Sequence, residues 1–243
     1  MVREIGRVKA IYRYPVKSMA GQQLNSASLG WHGFNGDRRF AFIRLGSQSG
    51  FPWLTASKFP QLIQYIPVCR DKTGSADLPT HIQTPKGQEL ELRGEALQQE
   101  ISKAYGSPVE LIQLDQGIFD EASVSIISQA TLTAIEQETG MSLNVARFRP
   151  NILIETLTGR SFEEDEWMGK IMWIGQGAAA AAVNIYLRDS RCMMINLDPA
   201  TGAVAASVLK AVVRMNENNA GVYATVMRTG LVSVGDKLFV QEI

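Results

Sequence analysis

The chain has 243 residues, long enough for one large or two small domains, so core size is not limiting. Lys+Arg and Asp+Glu both total 24 and the net charge is zero, so no global field recruits nucleic acid or an anionic membrane; any anion must be held by local arginines and lysines. Aromatics, 8% of residues, are not interleaved with basic runs, so neither nucleic acid nor membrane is expected as a partner.

In chain order, short β-like runs come first: GRVKAIYRYPVKS, RRFAFIRL, QLIQYIPV, IQTP and ELEL. They are separated by the turn signals WHGFNGD, GSQSGFP, DKTGSADLP and PKGQ. Helical spacing of Leu97, Ile101, Ala104 and Tyr105 predicts a helix in GEALQQEISKAYGSP, stopped by Gly106 and Pro108. A second is predicted in SQATLTAIEQETG, with Ser128 as N-cap, Leu132 and Ile135 facing inward and Gly140 at its end. A third, fainter pattern runs through ASVLKAVVRMNE. The alanine run at 177–183 has high helix propensity, but its setting between IMWIG and NIYL favours a strand. The C-terminal stretch GVYATVMRTGLVSVGDKLFVQEI reads as two or three strands closing a barrel or sheet. The polar segment around 111–123 divides the chain into 1–118 and 119–243. No low-complexity linker lies between them, so two lobes packed together are expected. The fold class is mixed, β-rich α+β.

Cys69 and Cys192 give no disulfide framework, no CxxC and no four-cysteine zinc or iron–sulfur site. The first residues carry charges throughout, so no signal peptide is read there, and no window approaches the ~20 apolar residues of a membrane-spanning helix. A reducing, cytoplasmic setting is the expectation.

Candidate chemistry falls in four stretches. In RDSRCMMINLDPATG, MMINL is predicted as a short apolar strand and DPATG as a turn, with Asp198 first, Pro199 second and Gly202 closing. Cys192, Met194 and Asn196 would share one strand face, with Cys192 at the strand's entrance, where Arg191 favours the thiolate. From the residues alone a buried structural cysteine is the favoured reading, since free cysteine is among the most buried residue types. In ARFRPNILIE, Pro150 is expected to hold Arg149 extended, so that Arg147, Arg149 and Asn151 line one face. That face is either a seat for a polar, anionic ligand or a solvated edge strand. In YRYPVKSMAG, Lys17 and Ser18 can both serve a phosphate only if the chain leaves its strand after Lys17; otherwise this is a charged strand end. In NGDRRFAFI, a turn delivers Asp37 and Arg38, a ligand contact or a plain turn pair. Elsewhere EEDE reads as a solvated turn, His32 and His81 lack metal spacing, and Cys69 in YIPVCR reads as core. No P-loop, GxGxxG or GxSxG is present.

Together these stretches resemble the MOSC family, named for the C-terminal domain of molybdenum-cofactor sulfurases, over nearly the whole chain. YPVKSMAG, GDRRFAFI and WLTASKFPQL are similar to the family's N-terminal β-barrel domain. VSIISQATLTAI, RFRPNILI, SRCMMINLDPATG and GVYATVMRTGLVSVGDKLF are similar to the MOSC domain in order, and RFRPN followed by RCxxxxxDPxTG is the specific part. The resemblance is to the amidoxime-reducing branch, mitochondrial and bacterial. It implies an N-terminal β-barrel-like lobe packed on a MOSC β-barrel domain with a few short helices.

The resemblance further implies Cys192 as the ligand of molybdenum in a molybdenum cofactor (Mo-molybdopterin). Lys17, Ser18, Arg38, Arg149 and Asn151 would hold the pterin and its phosphate, Ser190 and Arg191 would flank the ligand, and Ser128 would offer a hydroxyl ahead of its helix. Family vocabulary also attaches pyridoxal phosphate binding to this fold. A soft thiolate suits a sulfur-rich molybdenum centre, and a phosphate asks for Lys, Arg and backbone donors. The implied activity is reduction of N-hydroxylated small molecules. With no cluster-binding cysteines, electrons would come from a separate flavin or iron–sulfur reductase. The alternative is a cofactor carrier or sulfur-transfer module that uses Cys192 without small-molecule turnover. One departure is the segment LRDS, where relatives carry cysteine or proline before the RC pair. Asp189 is therefore expected at the site mouth, where it would repel anions.

Overall fold

The computed structural model describes residues 2–70 and 78–241, so most of the turn expected at 71–79 lies outside the described residues. Seven strands close on themselves into a barrel. Their spatial order is Ile152–Thr156, Val124–Ser128, Asn219–Arg228, Ala181–Ser190, Ile171–Ile174, Lys237–Gln241 and Val2–Arg13, which pairs back onto Ile152–Thr156. Neighbours run antiparallel except Val124–Ser128 and Ile152–Thr156, which are parallel. Alternation of side chains along each strand fills the interior: Val124 with Ile126, Val183 with Ile185, Val222 with Ala224, and Leu238 with Val240 meet in one core. At the seam the backbones approach so closely that a Cβ on Gly6 would sit 2.1 Å from the Glu155 carbonyl oxygen, so only glycine fits.

The alanine run forms a short 3₁₀ turn, Gly177–Ala179, and then the strand Ala181–Ser190. Strand wins over helix propensity because small side chains are needed there. A Cβ on Gly230 would lie 3.2 Å from that of Ala181. The C-terminal stretch makes three strands. Asn219–Arg228 and Lys237–Gln241 enter the barrel, and Gly230–Ser233 leaves it to pair with Ser26–Gly30.

The three helices stand where the sequence places them: α1 (Glu95–Tyr105), α2 (Gln129–Thr139) and α3 (Ser207–Asn216). Gly106 and Gly140 end α1 and α2 in the left-handed region, and Ser128 Oγ accepts the Thr131 N–H at 3.0 Å. Helices α2 and α3 cover one outer side of the barrel through Ile127, Leu132, Ile135, Val208 and Val212. After Gln22–Phe34, which pack on the barrel, the residues from Phe40 to Gln113 build a second lobe. There Phe40–Arg44 pairs with Val109–Gln113, beside a three-stranded sheet and α1, around Phe40, Phe42, Leu62, Leu97 and Ile101. The molecule is thus the β-rich α+β fold expected.

Three local readings are corrected. MMINL is not a strand: Met193–Asn196 is a 3₁₀ helix, because the preceding strand ends at Ser190 and the carbonyls of Cys192 and Met194 accept from Ile195 and Leu197. EEDE is not a solvated turn: Glu163–Trp167 is a 3₁₀ helix with Glu163 and Glu164 buried. Glu164 Oε1 accepts the Ser128 N–H at 3.2 Å, and burial raises its pKa. Cys69 is half-buried rather than core. No helix among the described residues is long and apolar enough to cross a membrane.

Candidate functional site

Strand parity creates the floor of the site. Where Val124, Ile126, Val222 and Ala224 face into the barrel, Ser125 and Tyr223 face out, and they are register partners. Asp189 joins them on the same outer wall, near the end of its strand. Over this wall lies a cleft of ≈ 380 Å³ that is closed by turns from both lobes.

The first strand ends at Arg13, earlier than expected, and the chain turns through Pro15 before delivering Lys17 and Ser18. The Lys17 N–H is held by the Phe40 carbonyl at 2.7 Å. Its ammonium donates to the Phe119 carbonyl at 2.7 Å. Burial draws its pKa down, aided by Arg38 and Arg149 and opposed by Asp120. The turn before Phe40 holds Asp37 and Arg38 as expected. Asp37 is fully buried and accepts the Tyr14 N–H at 2.6 Å, while Arg38 is ion-paired to Asp37 and, at 2.5 Å, to Asp120. Burial works against ionising Asp120, but Arg38 and Lys17 hold its carboxyl below the usual range.

Arg149 is not extended. Its φ is +51°, and Val145–Arg147 ahead of it is a 3₁₀ turn, so the expected period-two face of Arg147, Arg149 and Asn151 does not exist. Tertiary hydrogen bonds dictate this shape. The Arg149 carbonyl accepts from Arg38 Nη2 at 2.9 Å, and Arg149 Nη1 donates to the Met19 carbonyl at 2.6 Å with its guanidinium 4.2 Å from the Tyr14 ring centre. Burial draws the Arg149 pKa down to about 10, and its Nη2 is buried with no partner. Arg147 donates to the Asn196 carbonyl at 2.9 Å and pairs with Asp198 at 2.8 Å. It thereby ties this segment to the cysteine turn.

Cys192 is exposed at the cleft wall and leads into the 3₁₀ turn. The DPATG turn forms as expected, with Asp198 Oδ1 accepting from the Ala200 and Thr201 N–H groups. Asp189 is not at the mouth: it is 1% exposed, pairs with Arg191 at 2.7 Å, and accepts from Ser125 Oγ at 2.9 Å and from the Tyr223 hydroxyl. Burial pushes it up to about 6 despite Arg191. A free acid repelling anions is therefore not what the site presents.

Of the residues singled out from sequence, the cleft gathers Lys17, Ser18, Arg38, Arg149, Ser190, Arg191 and Cys192. Asn151 stands just behind, its Oδ1 accepting from Arg38 Nη1 at 3.2 Å and the Ser125 N–H at 3.0 Å. Ser128 is not brought there. It is spent on capping α2 and on the buried Glu164. Asp120, Ser125 and Tyr223 also line the cleft and were not anticipated. Ser125 and Tyr223 carried a readable signal, as polar positions in otherwise apolar strands.

A family model described as MOSC domain matches residues 111–239, and one described as MOSC N-terminal beta barrel domain matches residues 5–123. The human (Homo sapiens) mitochondrial amidoxime-reducing component 1 is 26% identical over 245 residues, spanning 84% of this chain and 70% of its own length. The crystal structure of the YUAD protein from Bacillus subtilis covers 100% of both chains at TM-score 0.54 and 13% identity, a likeness of fold.

Proposed function

Because the chain belongs to the MOSC domain family, we propose that its cleft seats a molybdenum cofactor and that the protein reduces N-hydroxylated compounds with electrons from a separate protein, in keeping with the name of its amidoxime-reducing relative. The observation that carries this reading is Cys192, a free, exposed thiol in a cleft that five cations also line. The residues fit the group. A thiolate is the soft donor a sulfur-rich molybdenum site takes. The partnerless Arg149 Nη2 and the Lys17 ammonium supply donors for a phosphate. Cys192 would bind the metal, and Lys17, Ser18 and Arg149 would bind the anionic end. When bound, the cofactor supplies the redox chemistry.

The chain's own residues set the stage for it. Arg38, anchored on Asp37 and Asn151, fixes the cleft's inner wall and cannot lose its proton. Phe51 and Phe148 give the cleft apolar walls. Burial pushes the Tyr223 phenol up, so it stays a hydrogen donor at the floor, whereas ionised Asp120 accepts. The overall reaction takes an N–OH compound, two electrons and two protons to an N–H compound and water.

The test is expression in a cofactor-competent host, with molybdenum per chain and benzamidoxime reduction by reduced viologen both measured. Cys192→Ser is expected to lose molybdenum or turnover, and Cys69→Ser to keep both. Equal metal and activity in wild type and Cys192→Ser would remove the assignment. Molybdenum without turnover would favour a carrier or sulfur-transfer role, which an exposed thiol also permits.

A further inference from the structure

Five cations line the cleft, Lys17, Arg38, Arg147, Arg149 and Arg191, and they fall into two kinds. Arg38, Arg147 and Arg191 each pair with a carboxylate: Arg38 with Asp37 and Asp120, Arg147 with Asp198, and Arg191 with Asp189. Among the described residues Lys17 and Arg149 donate to backbone carbonyls alone, of Phe119 and Met19. Arg191 is buried and fully engaged. Its Nε donates to the Ala220 carbonyl at 2.7 Å, Nη1 to the Phe148 carbonyl at 2.7 Å, and Nη2 to Asp189 Oδ2 at 2.7 Å. Gly221 lies alongside with φ +88°; a Cβ there would meet the Ile126 carbonyl oxygen at 2.5 Å and Arg191 Nη2 at 3.2 Å. Asp189 is fixed in turn by Ser125 and Tyr223, from two neighbouring strands.

The geometry points to Asp189 as a positioning residue that withholds Arg191 from whatever anion enters the cleft, leaving anion recognition to Lys17 and Arg149. An anion that recruited Arg191 would strip Asp189 of its partner and leave an uncompensated buried carboxylate, which is strongly unfavourable. The arginine next to Cys192 therefore braces three segments, through the carbonyls of Phe148 and Ala220 and the carboxylate of its own strand, rather than gripping the ligand. This inference rests on reading the cleft as the seat of an anionic group.

Inorganic phosphate titrated by calorimetry into the full chain purified without cofactor tests it. Wild type is expected to bind, and Lys17→Met or Arg149→Met to weaken binding about tenfold or more, the effect of a lost charge-assisted contact. Asp189→Asn is expected to tighten binding about tenfold by freeing Arg191. The same substitution in an Arg191→Met background should give no tightening, and this double variant, which removes both charges of the pair, should stay within about twofold of wild type when folded. Tightening by Asp189→Asn that persists without Arg191 would show a field effect and overturn the positioning role, as would no tightening at all. Should Asp189→Asn fail to fold, the double variant decides: a tenfold loss of phosphate there, with a thermal melt like that of wild type, means Arg191 holds the anion itself. Failure of wild type to bind phosphate sinks the anionic seat and the inference with it. Normal binding with no gain in Asp189→Asn sinks the inference alone.

Discussion

The barrel wall and the turns that close the cleft are built on opposite terms. In the wall, strands such as Val124–Ser128 and Asn219–Arg228 keep extended backbones and satisfy each other's hydrogen bonds. In the turns, Ser18, Arg38 and Arg149 all adopt positive φ, three of only six non-glycine residues that do so among the described residues. Each such residue costs about 1–2 kcal/mol relative to ordinary backbone. They persist because the surroundings over-determine them: the Arg38 N–H is held by Tyr14, its carbonyl by Phe119, and its guanidinium by the Arg149 carbonyl. The wall supplies stability, and the turns use some of it to aim charged side chains at one space.

Substitutions can break or sharpen that contrast. The largest effect belongs to the wall: Ile126→Ala, at a fully buried position, should lower unfolding free energy in urea by about 2–5 kcal/mol, with phosphate affinity of the folded fraction unchanged. Arg149→Ala should do the reverse. Phosphate binding should weaken by about 1.5–3 kcal/mol while stability moves by less than about 1 kcal/mol, because losing the contact to the Met19 carbonyl is offset by no longer burying a charge.

The third test is pH. The folded chain holds the Asp189 proton up to about pH 6, whereas an unfolded aspartate releases it near 3.8. Between those values the folded state binds more protons, so this group lowers stability as pH rises, on the order of 1–3 kcal/mol across the window. The difference in unfolding free energy between Asp189→Asn and wild type should therefore grow from pH 4 to pH 6 and then level. A flat difference would mean that Arg191 and Ser125 cancel the burial cost. Smallest is Ser18→Gly, which should stabilise by about 0.5–1 kcal/mol in thermal melts, since glycine takes positive φ freely. If Ser18→Gly were destabilising, the turn would not be strained.

Much of the wall was readable because its cues are local. Gly106 and Gly140 announce helix ends, and Leu97 with Ile101 or Leu132 with Ile135 announce their inner faces. The Cys192, Lys17 and Arg38 neighbourhood was legible as motif, and the fold does bring these residues together. What could not be read was their geometry. Pro150 argues for an extended Arg149, yet Arg38 and Met19, distant in sequence, impose a left-handed one. Asp189 looks like surface charge until Arg191, Ser125 and Tyr223 enclose it. Four acids in a row at EEDE look solvated, but Glu164 is drawn inward by the Ser128 N–H at the start of α2. In each case a long-range partner overrides a short-range preference, and alternation in one strand cannot say which outer face of a barrel will be covered.

The seam of the barrel carries a consequence for synthesis. Val2–Arg13 is translated before either of the strands its edges pair with, Ile152–Thr156 and Lys237–Gln241. While the ribosome still shelters the last strand, the nascent barrel is an open sheet with a free edge on its first strand, a template for pairing with other chains. Closure joins segments separated by nearly the full sequence, the kind of contact that forms slowly. The cleft shares that timetable, because Lys17 hangs from the end of the same first strand. Loading of any ligand thus waits for barrel closure, and a chain cut before Lys237–Gln241 would keep that edge of the first strand exposed.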